Sequence, residues 1–184
     1  MRLHRNKTVY HLTMTAAAAA ALCALSPWSI PLGPVPISLC TLLIYLSAWL
    51  FSPGRATAAA AVYVLIGAAG LPVFSGFMGG LGRLAGPTGG YIVGYLPLAA
   101  ICTGFVRRFP ERRGMHLFGM VLGTTVLYTV GVVWFCIQTQ VGVAGGLTAC
   151  VLPFLPGDAV KIGAALLLGP VLRNRLERSG LLYE

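Results

Sequence analysis

The chain reads as an all-α integral membrane protein of six transmembrane helices with both ends cytoplasmic. Three observations carry that fold class. Apolar residues fill 57% of the 184 positions and charged residues only 9%, whereas about a quarter of a soluble domain is charged. Six apolar runs recur along the chain. The basic residues fall in short clusters between those runs, on one side of a six-span arrangement. So little polar surface cannot cover a domain in water. The net charge of +9 therefore marks membrane-flanking loops rather than a nucleic-acid partner.

The first span, 9–26, follows a basic polar end with Arg2, Arg5 and Lys7. A secretory signal peptide shares this layout, but the remaining chain is itself membranous and needs the span for an even topology. Within it, Ala16/Ala20, Ala17/Ala21 and Ala20/Ala24 repeat a small-xxx-small spacing that lets another helix approach closely in lipid. A plain alanine-rich span packed in its own bundle would read the same way. Residues 27–36 (PWSIPLGPVP) carry four prolines and no charge, which makes a stiff loop with Trp28 at the membrane interface. The second span, 35–51, ends at Ser-Pro-Gly and Arg55, and the third, 56–71, is short and alanine-rich.

Residues 71–91 (LPVFSGFMGGLGRLAGPTGGY) hold seven glycines, two prolines and one charged residue, Arg83. Glycine and proline in that density exclude a regular spanning helix. Yet Phe74, Phe77, Met78 and Tyr91 are too apolar for a solvated linker. The expectation is an ordered outer loop between the third and fourth helices, folded against the mouth of the bundle with Arg83 pointing inward, since irregular backbone at such depth must be buried in protein or line a cavity. A glycine-rich connector with a snorkelling arginine is the plainer alternative. The fourth span, 89–106, closes at RRFPERR. The fifth, 115–137, leads into an uncharged loop from Gln138. The sixth, 151–172, gives way to RNRLERS.

In this arrangement Arg2, Arg5, Lys7, Arg55, Arg107, Arg108, Arg112, Arg113, Arg173, Arg175 and Arg178 share one side, and the first and fifth loops opposite have no lysine or arginine. Arg83, Lys161 and Asp158 lie toward the outer half. Asp158 is placed to cap the sixth helix, with Lys161 at i+3 on the same face. A lysine in a first helical turn opposes the helix dipole, and a charge in an apolar segment costs several kcal/mol unless paired. A structural Asp158–Lys161 pair accounts for two of the three charges. With Arg83 added, two cations and one acid suit a small anionic ligand, arginine offering a forked donor to a carboxylate. Tyr91, Tyr95, Phe74, Phe77 and Trp134 are candidates for an apolar wall. No P-loop, HExxH or Ser/His/Asp set is present, so ATP hydrolysis and metal chemistry find no support. The five cysteines form no CxxC pair and read as small buried hydrophobes.

Three stretches, IPLGPVPISLCTL at 30–42, GLPVFSGFMGGLGRLAGPTGGYIVGY at 70–95 and LPFLPGDAVKIGAALLLGPVL at 152–172, give the chain a resemblance to the BioY family, the biotin-specific substrate-binding subunits of energy-coupling-factor (ECF) transporters. Their order and spacing extend the likeness over nearly the whole chain. The resemblance implies a six-helix subunit of a bacterial or archaeal cytoplasmic membrane that captures biotin in an outward-opening cavity, uses no cofactor and is not itself an enzyme. It implies a transmembrane coupling subunit and two cytoplasmic ATPases as partners. It assigns Arg83, Asp158 and Lys161 to the ligand site, and the tract Ala16, Ala17, Ala20, Ala21 and Ala24 to docking on the coupling subunit. The only asparagines, Asn6 and Asn174, fall on the expected cytoplasmic side. Hydrogen bonds to the ligand head must then come from Asp158, hydroxyls, Gln138, Gln140 or backbone. On the residues alone a ligand-free assembly protein, or less readily a small intramembrane enzyme, stays open.

Overall fold

A computed structural model describes residues 7–30 and 35–180, apart from the side chain of Lys7. The described chain is helical: α1 (Lys7–Leu25), α2 (Cys40–Leu50), α3 (Pro53–Ala68), α4 (Leu81–Ala85), α5 (Gly89–Arg108), α6 (Arg113–Thr139), α7 (Val143–Cys150) and α8 (Leu155–Arg178). One small antiparallel ribbon joins β1 (Ser29–Ile30) to β2 (Ile37–Ser38), in the register Ser29 to Ser38 and Ile30 to Ile37. Four helices, α1, α5, α6 and α8, are long and apolar enough to cross a membrane. The 11 residues of α2 are apolar but cover only about 16 Å at 1.5 Å per residue.

Several boundaries differ from those read from sequence. The second apolar run is helical only from Cys40, because Pro36 forces Val35 away from the α region and the arm stays extended to Ser38. The loop at 71–91 contains a helical turn, α4, and the segment after Gln138 forms α7. The last helix begins at Leu155, since Pro156 at its second position loses only an amide that would have been unbonded anyway. It also continues past Leu172 to Arg178, through good helix formers and an Arg173–Glu177 pair at i,i+4 (2.7 Å).

The two helices α5 and α6 form the most extensive contact in the bundle. Glycine is the reason they come so close. Gly131 lies directly beneath the Tyr91 ring, so a methyl group there would overlap ring carbons. The helix α2 fills the centre, with Cys40, Ile44, Tyr45 and Ala48 almost wholly buried between α5 and α8. The helix α3 packs on α5 and carries α1 on its far side. By contrast α6 and α8 touch along only a short stretch, leaving a lateral groove of about 390 Å³ lined by Leu117, Val121, Thr125, Tyr128, Leu155, Asp158, Ile162 and Leu166.

Two segments lock together over one end of the bundle. The chain turns back between Phe74 and Met78, whose backbones exchange hydrogen bonds of 2.8 and 3.3 Å. The turn uses φ of 74° at Gly76 and 57° at Phe77. From it the Gly76 amide donates to Pro27 O (2.9 Å), and Phe77 meets Trp28 edge-to-face at 5.6 Å. The loop is held below by Gly80 N–H to Gly67 O (2.7 Å) and by Trp134 Nε1–H to Gly86 O (3.0 Å). At the opposite end Arg107 donates to Phe51 O (3.0 Å) and Leu50 O (3.5 Å) while Arg55 donates to Ser52 Oγ (2.9 Å). Arginines from α3 and α5 thus meet on one turn, remote from Arg83 and Lys161 in sequence and helix end.

Replacing Gly131 by alanine should force Tyr91 off α6. The expected cost is about 1–3 kcal/mol, in the range of overpacked cores, and a lowered thermal midpoint in detergent would register it. An unchanged midpoint would mean that the helices have room to spare there.

Candidate functional site

Asp158 is the only aspartate in the chain and is 6% exposed. It does not cap α8: the helix starts three residues earlier and no side chain caps it. Its carboxylate instead faces inward and collects donors from three helices. Oδ1 accepts from Lys161 Nζ (3.1 Å) and Thr41 Oγ1 (3.4 Å), and Oδ2 accepts from Tyr128 OH (2.5 Å). Lys161 also donates to Thr41 Oγ1 (3.0 Å), closing a triangle between α8 and the first turn of α2. Below it Tyr45 OH and Thr124 Oγ1 share a hydrogen bond of 2.6 Å. The i,i+3 spacing of Asp158 and Lys161 therefore makes a neutral ion pair, as the plainer sequence reading allowed, and the pair lines a cleft.

That cleft, narrow at about 40 Å³, is walled by the extended arm (Val35 to Ser38), Thr41, Tyr91, Tyr95, Leu127, Tyr128 and Phe154. Tyr91 is fixed by donating to Cys150 O at the end of α7 (2.7 Å). On the other side of Tyr91, Tyr95 and the arm lies a second chamber lined by Tyr63, Phe74, Ser75, Arg83, Thr88 and Ile92. Phe74 is buried there against Tyr63 and seated on Gly67 of α3, where a larger residue would collide with its ring. One end of the combined space is thus polar and charge-balanced and the other holds a cation, with tyrosine rings between.

Of the residues singled out by sequence, Asp158, Lys161, Tyr91 and Tyr95 meet around the cleft, and Arg83 and Phe74 line the adjoining chamber. Arg83 and Lys161 do not converge. Lys161 is committed to Asp158 and Thr41, whereas the Arg83 guanidinium forms no hydrogen bond or ion pair among the described residues. Phe77 is not part of the wall: it is 57% exposed and meets Trp28 edge-to-face in the turn between Phe74 and Met78. Trp134 anchors the glycine-rich loop to α6. Gln138 and Gln140 are exposed, and Gln140 donates to Ile137 O at the end of α6. Thr41, Tyr128 and Ser38 are site residues that sequence reasoning missed. A hydroxyl within an apolar run is the only cue they offer, and many such residues bond their own helix, as Thr103 does to Ala99 O. Among the described residues no cluster of His, Cys, Asp or Glu could hold a metal ion.

The alanines Ala16, Ala17, Ala20, Ala21 and Ala24 are all exposed, while Ala19 and Leu22 of the same helix are buried. The small-residue stripe of α1 thus faces away from the bundle.

A helical membrane protein with a charge-lined cleft at one end of its bundle is the class that fold and site define. The chain belongs to the BioY family, whose pattern matches residues 2–178. It is 37% identical over 156 residues to the biotin transporter BioY of Thermotoga maritima, covering 84% of this chain and 90% of that protein. It is 32% identical over 146 residues to a probable biotin transporter BioY of Pyrococcus horikoshii, covering 79% and 85%. Its fold is similar to the crystal structure of the S-component for biotin from an ECF-type ABC transporter, with a TM-score of 0.85 and 27% identity over 94% of this chain and 95% of that one.

Because Asp158 is buried, removing its cation should be worse than removing both charges. Lys161→Met should destabilise by about 3–5 kcal/mol, and adding Asp158→Asn should recover part of the loss. Thermal unfolding of wild type and the two variants measures this. A double variant less stable than Lys161→Met would show that the pair is not coupled.

Proposed function

We propose that this chain is the substrate-capture subunit of an ECF-type biotin uptake system, a transport subunit and not an enzyme. One observation carries the reading within the family: a buried carboxylate at one end of a tyrosine-lined space, with a separate arginine toward the other. Biotin has the matching chemistry. Its ureido head offers N–H donors to Asp158 and a carbonyl to the Lys161 ammonium, its aliphatic tail lies along Tyr91 and Tyr95, and its carboxylate reaches Arg83. Lys161 is already neutralised, so Arg83 supplies the surplus charge. The ligand needs no cofactor.

Six helices, α1, α2, α3, α5, α6 and α8, make up the single membrane domain, with the bounds given above. Both ends face the cytoplasm of a bacterium or archaeon, because the Arg55–Arg107 end is the basic one. ATP is hydrolysed by two separate cytoplasmic subunits, reached through a transmembrane coupling subunit. The exposed alanine face of α1 supports docking on that coupling subunit, since small residues permit close helix approach without a hydrophobic driving force.

Purified protein should bind labelled biotin saturably, and Asp158→Asn should weaken binding by about 1.5–3 kcal/mol, the loss of a charge-assisted hydrogen bond. Absence of saturable binding to folded wild type would remove the reading. Ala17→Leu with Ala21→Leu should abolish co-purification with the coupling subunit and leave biotin affinity intact. A surviving complex would place the docking face elsewhere.

A further inference from the structure

Thr88 occupies the position just before α5, where a threonine ordinarily turns its oxygen onto an amide of the first helical turn. Here it does not. Its backbone is helical (φ −91°, ψ −4°), no side-chain cap bond forms, and the first amides are served by backbone: Gly89 N–H donates to Gly86 O (3.0 Å) and Tyr91 N–H to Thr88 O (3.1 Å). The Thr88 hydroxyl is left without any partner although the residue is only 7% exposed. A buried hydroxyl without a hydrogen bond is costly and is seldom left so. This one lines the chamber that holds Arg83.

Three features then share one small space: an unpartnered hydroxyl donor, a guanidinium without a carboxylate, and the amino end of a 20-residue helix with its partial positive charge. Each favours an anion. No acid lies close by in the chain, since Glu111, Asp158, Glu177 and Glu184 are the only acidic residues and Asp158 belongs to the other cleft. We infer that Thr88, at the start of α5, is a specificity-determining residue whose hydroxyl donates a hydrogen bond to the carboxylate of the bound ligand beside Arg83. The inference rests on the biotin reading above and adds to it the residue that orients the carboxylate. The arginine supplies charge from a long, partly buried side chain. The threonine, fixed by its burial, supplies position.

Thr88→Val keeps shape and removes the hydroxyl, and Thr88→Ser keeps the hydroxyl. Binding of biotin and of biotinamide, in which a neutral amide replaces the carboxylate, should be measured by calorimetry for wild type and both variants. Thr88→Val should raise the Kd for biotin about tenfold and that for biotinamide about threefold or less, because a hydrogen bond to a charged acceptor is roughly twice as strong as one to a neutral acceptor. Thr88→Ser should stay within about threefold of wild type for both ligands. Equal losses for the two ligands, or none with Thr88→Val, would overturn the assignment while leaving biotin binding in place. Should Thr88→Val fail to fold, Thr88→Ala provides the same comparison. Failure of wild type to bind biotin would instead overturn the reading on which the inference rests.

Discussion

One buried carboxylate inside an apolar bundle dictates how three helices must meet. Asp158 is nearly sealed from solvent, and an unpaired carboxylate in such a place costs several kcal/mol. Its donors come from α2, α6 and α8 itself, so Thr41, Tyr128 and Lys161 must all be delivered to within hydrogen-bond reach. That requirement explains the placement of α2 at the centre of the bundle, although it is the shortest of the larger helices. It also explains why the arm before it remains extended: the backbone from Val35 to Ser38 enters across the cleft and brings Thr41 to the carboxylate in the first turn after Cys40.

The second constraint is proximity between α5 and α6. Their glycines bring Tyr91 flat against α6, and the same ring reaches Cys150 O at the end of α7. Tyr91 and Tyr95 then stand one helical turn apart on the inner face of α5, forming the partition between the two chambers. The same residues therefore pack the helices and wall the cleft, which leaves α5 little freedom to vary on that face.

Much of this was legible in the chain. Apolar runs placed the helices because a membrane solvent imposes one period and one length. The charges of Asp158, Lys161 and Arg83 stood out because an apolar background makes any charge costly. Other features were hidden for physical reasons. The separation of Arg83 from Lys161 depends on how the glycine-rich loop folds, and a loop without period gives no direction to its side chains. Phe77 is apolar enough for a wall, yet its left-handed backbone at φ 57° turns it outward onto Trp28. Tyr128 could face lipid, α8 or solvent with the same neighbours in sequence. The start of α8 was obscured by Pro156, which breaks a helix interior but is tolerated in a first turn.

The groove between α6 and α8 brings the site's hydrogen bonds to the flank of the bundle. Tyr128 and Asp158 line both the inner cleft and this lateral opening, so whatever medium fills the groove lies directly behind their hydrogen bond. Hydrocarbon there keeps the local dielectric low and strengthens that bond, whereas water entering the same opening competes for both groups. The strength of the Tyr128–Asp158 hydrogen bond is thus tied to what fills a flank that the described residues leave open.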